Sequence, residues 1–286
     1  MNRPRMGLVG GSGVYDLSAI EDLTEERFDT PFGKPSDVYF CGTLNGVPVA
    51  FLSRHGRGHR IGPSEINYRA NVCGFKMLGC DAVLSASACG SLQEELPPRK
   101  AVIPDQFIDR TRHRGDSFFG DGIVGHASLA DPVCPALSQT LEQAARAGGL
   151  DVRRGGIYVC MEGPQFSTRA ESNLYRSWGA DIIGMTNLTE ARLCREAEMC
   201  YASLALVTDY DCWREETEDV SVEVILSILR ENADAARRSL AEAVARVDPE
   251  RRCGCRDAMR FGIITDGRAI SDRARERLRP VLGRYL

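Results

Sequence analysis

Short runs of β-branched and small apolar residues alternate along this chain with amphipathic helical stretches, and that alternation restricts its fold more than any other feature. Strands that recur between helices predict an α/β protein, one mixed sheet flanked by helices. MGLVGG reads as a first strand entering a glycine turn, and VYFCGTLNGVPVAFLSRHG as a hairpin, since Asn45-Gly46 joins two apolar runs. DAVLSASACGSL, AVIPDQFIDRT, RGGIYVCMEGPQF, ADIIGMT and CYASLALVTDYD read as further strands. Between them SEINYRANVCGFKMLGC, PALSQTLEQAARAGGL, TRAESNLYRSWGA, LTEARLCREAEM and VSVEVILSILRENADAARRSLAEAVARV read as helices. The polar, Gly-rich segment 112–130 breaks all periodicity, and an irregular stretch that long is usually functional or disordered. No fixed-period repeat suggests a solenoid.

Lys plus Arg number 36 against 40 Asp plus Glu, so no whole-chain field is available to hold nucleic acid or an acidic membrane. Any anion must be bound locally. No window reaches the roughly 18 apolar residues of a membrane span, and glycines interrupt the apolar run of MNRPRMGLVGG too early for a signal peptide. A cytoplasmic protein is expected. The 11 cysteines are odd in number and lie mostly in apolar runs, as small core residues in a reducing compartment do. The one close pair, Cys253 and Cys255, has a single residue between, short of the spacing zinc prefers, so no metal is expected. The tail from 248, ending in SDRARERLRPVLGRYL, reads as a peripheral helix with a solvated charged face.

Five stretches could carry chemistry. GLVGGSG fails as a dinucleotide fingerprint because Asp16 stands at the third glycine position, and it lacks the G-K-[ST] of a Walker loop. Ser12 and neighbouring amides could still hold a single phosphate, and a plain tight turn is the alternative. LSRHGRGHRIGPSEINYR packs Arg54, His55, Arg57, His59 and Arg60 directly after a strand, a guanidinium fork beside an imidazole that suits a small oxyanion. SASACGSL is all small residues after a buried strand, which makes room either for a ligand or for a close helix. In MEGPQFSTRAES, Thr168 and Glu171 form a capping box, while Phe166 is an aromatic that either stacks on a base or staples the helix. VTDYDCW places Asp209 and Asp211 just beyond an apolar strand. Period-two alternation would point both to one side, and mutual repulsion would raise a pKa toward that of a proton donor.

In order, GGSG, SRHGRGHRIGPSEINYRAN, ACGSL, DQFIDRT, MEGPQFSTRAES and VTDYDCW closely resemble the 5′-methylthioadenosine phosphorylase family of the trimeric purine nucleoside phosphorylase superfamily, over residues 5–247. The resemblance implies a single phosphorylase domain over 1–286 with a partly barrel-like mixed sheet, 248–286 being a peripheral C-terminal extension. It implies phosphate-dependent cleavage of the N-glycosidic bond of methylthioadenosine, with phosphate as co-substrate and no cofactor. Carried over by motif, Ser12, Arg54, His55, Ser87, Ala88 and Thr186 would surround the phosphate. Phe166 would lie along the purine, Ser167 with Asp209 and Asp211 would meet its edge, and Met185 would contact the ribose. Val222 and Ile225 would face the 5′ substituent, and His126 would reach in from a neighbouring subunit of a homotrimer or dimer of trimers. One departure stands out. Adenine-specific members usually carry Asn before the Met-Thr pair, whereas this chain has Gly184, so a purine nucleoside or methylthioinosine phosphorylase preferring 6-oxopurines is the alternative.

Overall fold

The structure, a computed structural model, describes residues 6–11, 17–214 and 222–286. Its sheet is organised around β5 (Ala82–Ser91), which is flanked in parallel by β1 (Met6–Gly10) and β11 (Cys200–Asp209). Beyond β1 lie β4 (Val47–Ser53), β3 (Tyr39–Leu44) and an edge strand, β2 (Glu21–Glu26). The β3–β4 turn is the expected one: Asn45 and Gly46 have φ of 50° and 77°, the mirror-image turn that matches strand twist.

At its far end β5 changes partners. Gly90 and Ser91 pair antiparallel with β10 (Ile182–Gly184), which continues through β9 (Ile157–Met161) to β7 (Gln106–Arg110). A second branch leaves β11 through β6 (Ala101–Ile103) to β8 (Val152–Arg154). Side chains from both branches, among them Cys89, Val102, Tyr158, Ile182 and Val207, fill the space between them, so the sheet curls without closing. The expected single strand over 101–111 is in fact β6 and β7, divided at Pro104-Asp105. Proline has no N–H for a ladder, and Asp105 instead accepts from Gly156 N–H at 3.0 Å. The charged β2 escaped the sequence because its solvent-facing edge carries no apolar alternation.

Helices cover both faces. α2 (Pro135–Ala147) and α5 (Val222–Arg246) pack on one, α1 (Tyr68–Met77), α4 (Asn187–Glu196) and α6 (Asp272–Leu282) on the other, and α3 (Arg169–Ser177) closes the outer end of the β10 branch. The tail contributes to the core: Met259, Ile270, Leu278 and Leu282 are buried against α1. Among the described residues no helix is long and apolar enough to cross a membrane. β4, β1, β5 and β11 run parallel, so their carboxyl ends share one edge, where an open α/β sheet presents a ligand site.

Candidate active site

Two polar clusters occupy that edge, both built on β5. The first centres on Arg54, which follows β4 and is 1% exposed. Its Nε and Nη2 engage the carboxylate of Glu190, Nη2 also donates to Ser85 Oγ at 2.7 Å, and Nη1 donates to Ala86 O at 3.1 Å. Glu190 further accepts from Ser85 Oγ and Tyr201 Oη, at 2.9 and 2.8 Å. A turn N-terminal on α4, Asn187 accepts from Ser87 Oγ at 2.9 Å and Thr186 Oγ1 at 3.3 Å, and donates to Tyr201 and Ser203. Thr186 is the N-cap of α4, whose first turn has no side-chain cap and directs backbone N–H groups toward this cluster. Gly11 lies against the guanidinium, since a Cβ there would sit 3.1 Å from Arg54 Nη1.

His55 is adjacent. Its Nδ1 is 2.8 Å from Ile61 O and therefore carries the hydrogen, leaving a lone pair on Nε2. Burial, with the charge of Arg54, holds its pKa down at about 4, so the ring is neutral. Of the other basic residues of this loop, His59 stacks on the His55 ring with centroids 4.3 Å apart, and the arginines stay outside. Arg57 turns outward to Asp37 and Glu25, and Arg60 donates to Arg57 O.

The second cluster holds Asp209 and Asp211. β11 bulges between Val207 and Asp209 and ends there, and Asp211 opens a 3₁₀ turn with φ of 50°. The expected strand alternation therefore does not set their orientation; the bulge and turn do. Both flank Gly90, where a Cβ would lie 3.0 Å from Asp209 Oδ1 and 3.4 Å from Asp211 Cβ. Asp209 accepts from Thr208 Oγ1 at 2.7 Å and from the backbone N–H of Asp211 at 2.8 Å, so it is Asp209 that holds the turn. The Oδ2 of Asp211 is buried and makes no hydrogen bond of full geometry among the described residues, although the hydroxyls of Ser172 and Ser167 lie close enough to favour its charged form. Burial raises the pKa of both; the Asp209 charge adds to the rise at Asp211 only secondarily, so desolvation rather than mutual repulsion is the main cause.

Phe166 and Ser167 stand beside this pair. Cys212 Sγ donates to Ser167 O at 3.2 Å and Arg169 to Cys212 O at 2.7 Å, while Phe166 remains 46% exposed. The capping box of Thr168 and Glu171 forms as expected. Met185 packs under the Gly163 turn, and its carbonyl accepts from Arg114. Arg114, a residue of the irregular 112–130 segment, also donates to Glu162 O at 2.7 Å and Met161 O at 3.2 Å, tying the exits of β9 and β10 together. Gly184 is explained by its neighbour: a Cβ there would lie 2.0 Å from the Tyr158 hydroxyl. Tyr158 is wholly buried and its hydroxyl has no hydrogen-bond partner among the described residues.

Ala88 lies in β5 between the two clusters. Ser12 lies outside the described residues, as do the side chains of Val222 and Ile225. His126 is exposed, its backbone N–H bonded to Gly262 O at 2.8 Å, and no described hydrogen bond joins it to either cluster. Sequence reasoning missed Glu190, Asn187 and Arg114. A helical pattern containing buried Asn and Glu at 187 and 190, three apart and so on one face, was the available signal.

The family model described as the phosphorylase superfamily matches residues 5–246. An S-methyl-5′-thioadenosine phosphorylase of Geobacter sulfurreducens is 53% identical, over 98% of this chain and 99% of its own. A methylthioadenosine phosphorylase crystal structure from an Antarctic soil metagenomic library superposes with a TM-score of 0.93 at 46% identity, covering 99% of this chain and 100% of that one. The Schistosoma mansoni methylthioadenosine phosphorylase in complex with adenine gives a TM-score of 0.81 at 41% identity, covering 85% and 91%. A curled mixed sheet with these two clusters at its carboxyl edge, matched over nearly its whole length, places the chain in the phosphorylase superfamily.

Proposed function

We propose that the protein cleaves the N-glycosidic bond of 5′-methylthioadenosine with inorganic phosphate, releasing adenine and 5-methylthioribose 1-phosphate, with no further cofactor. The observation that carries this reading is the buried Asp211 carboxylate beside Asp209, its Oδ2 outside full hydrogen-bond geometry even with the Ser172 and Ser167 hydroxyls close by. A buried acceptor without a donor is costly, and the exocyclic amine of a 6-aminopurine supplies the donor. A 6-oxopurine would bring a second acceptor and leave the cost in place.

The chemistry follows from the separation of the clusters. Ser87 and Gly90 are three residues apart on β5, about 10 Å, room for a phosphate on one face of C1′ and a purine on the other. At one end the phosphate meets the start of α4, the hydroxyls of Ser87 and Thr186, Ala88 and the glycine turn with Ser12. Arg54 has one Nη1 hydrogen uncommitted among the described residues, and its charge is already matched by Glu190. His55 Nε2, neutral and with its lone pair available, accepts a hydrogen bond from the hydroxyl of monohydrogen phosphate. At the other end Phe166 and Ser167 border the purine, and Met185 the sugar. As phosphate attacks C1′, the C1′–N9 bond breaks and negative charge grows on the base. Asp209, whose carboxyl burial makes easier to protonate, donates to N7 while Asp211 accepts from the amine. Val222 and Ile225 are assigned to the methylthio group.

His126 completes the site of a neighbouring subunit in a homotrimer. Support comes from the exposed apolar side chains around it, Val124 at 47%, Ile264 at 64% and Phe261 at 88% exposure, a patch of the kind that subunits cover. A cytoplasmic location is supported by 11 free thiols. The test supplies methylthioadenosine, methylthioinosine, adenosine and inosine with and without phosphate. Phosphate-dependent release of adenine from methylthioadenosine is expected, and base release that ignores phosphate would sink the proposal.

A further inference from the structure

Cys134, Cys200, Cys253 and Cys255 come from three separate parts of the chain, yet their sulfur atoms all lie within 4.8 Å of one another. Cys134 is the N-cap of α2, Cys200 begins β11, and Cys253 and Cys255 border and enter a 3₁₀ turn, Gly254–Asp257, in the C-terminal extension. Three of the four are buried and Cys253 is half-buried. This is the end of β11 opposite Asp209, about 30 Å away at 3.3 Å per residue, so the cluster takes no part in the proposed chemistry. From the sequence only the 253/255 pair was visible; the fold brings the other two.

We propose that these four thiols form a structural zinc site. Zinc takes four thiolates tetrahedrally at about 2.3 Å, which sets sulfur–sulfur separations of about 3.8 Å. The spacing here, 3.4 Å between Cys200 and Cys253 and at most 4.8 Å overall, brackets that value. Charge gives an independent argument. When Zn²⁺ binds, the four thiols release four protons and the centre carries a charge of about −2. Two guanidiniums already face the sulfurs: Arg251 Nε is 3.2 Å from Cys200 Sγ, and Arg195 Nη1 is 3.6 Å from Cys255 Sγ. Arg251 is only 8% exposed; its Nη2 pairs with Asp81 at 2.9 Å, which leaves its Nε directed at the sulfur of Cys200.

Among the described residues no other cysteines gather in such a cluster. Burial pushes the thiols of Cys73 and Cys160 up, as it does for inert core residues. Cys134 sits at a helix start that favours an anion. All four coordination positions are filled by protein, which makes the site structural. It ties the extension to α2 and the first residue of β11. The superfamily match ends at residue 246, before two of the four ligands.

The test measures metal in the full chain, purified from zinc-supplemented cells without chelator. About one zinc per chain is expected, falling below about 0.1 in the Cys253→Ser/Cys255→Ser double variant, with phosphorolysis changed by less than about 2-fold given its distance from β5's carboxyl end. Wild-type protein stripped of metal under reducing conditions should take up Co²⁺ with intense thiolate-to-cobalt absorption, a readout that does not depend on how the variant folds. Wild-type protein that carries no zinc and takes up no Co²⁺ overturns the proposal. So does a non-reduced intact mass four hydrogens light, which would mark two disulfides in place of the metal. None of these readouts depends on which nucleoside the enzyme cleaves.

Discussion

The two ends of the cleft, proposed to take phosphate and purine, handle buried polarity in opposite ways. Around Arg54 and Glu190 nearly every donor and acceptor has a partner within the protein, so the phosphate end is assembled before any ligand arrives. At the proposed purine end the carboxylate of Asp211 is held in a left-handed turn with one oxygen short of full hydrogen-bond geometry, a group that our proposal has the ligand satisfy. The first arrangement gives rigidity and a fixed geometry. The second gives selectivity, because the free energy of an unmet hydrogen bond is recovered only with the right base.

Breaking the saturated end should have the largest effect. Arg54→Ala strands Glu190 as a buried charge, and urea unfolding should show a loss of about 3–5 kcal/mol along with impaired phosphate use. Intact stability would mean that Glu190 finds another partner. Next comes Asp209→Asn, which keeps the turn-holding acceptor but removes the proton; kcat for methylthioadenosine should fall by about 10²–10⁴-fold, measured by adenine release. Gly184→Asn puts a side chain where the Tyr158 hydroxyl already lies, and overpacking should cost about 1–3 kcal/mol in the same unfolding assay.

The smallest effect is a pH dependence. A carboxyl whose folded pKa is raised leaves the native state holding more protons than the unfolded one, so its cost appears as pH rises above the unfolded value and is fully present above the folded one. Asp211→Asn removes that cost. Its thermal midpoint relative to wild type should be higher at pH 8 than at pH 4, and a pH-independent difference would contradict the burial argument.

Legibility in the sequence followed the range of the interaction. The Asn45-Gly46 turn, the Thr168/Glu171 box and the aspartates at the end of β11 are local patterns, and each could be read directly. Arg54 could be named but not its state, because its partner Glu190 lies 136 residues away on a helix whose periodicity says nothing of β4. The same holds for Cys134 and Cys200, which no spacing rule connects to Cys253 and Cys255. The Asp209/Asp211 geometry was misread because a bulge and a positive φ, neither visible as a pattern, replace strand alternation at that point. Gly184 looked like a lost contact with the substrate, and the fold shows it as space taken by Tyr158.

The most direct test of the contrast between the two ends is the ratio of kcat/KM for methylthioadenosine over methylthioinosine, compared between wild type and Asp211→Asn at saturating phosphate. Asparagine can present an amide donor to a 6-oxo group in place of the carboxylate acceptor. The ratio should fall by at least about 10-fold in the variant, equivalent to about 1.4 kcal/mol of discrimination. An unchanged ratio would show that the open acceptor of Asp211 does not read the purine.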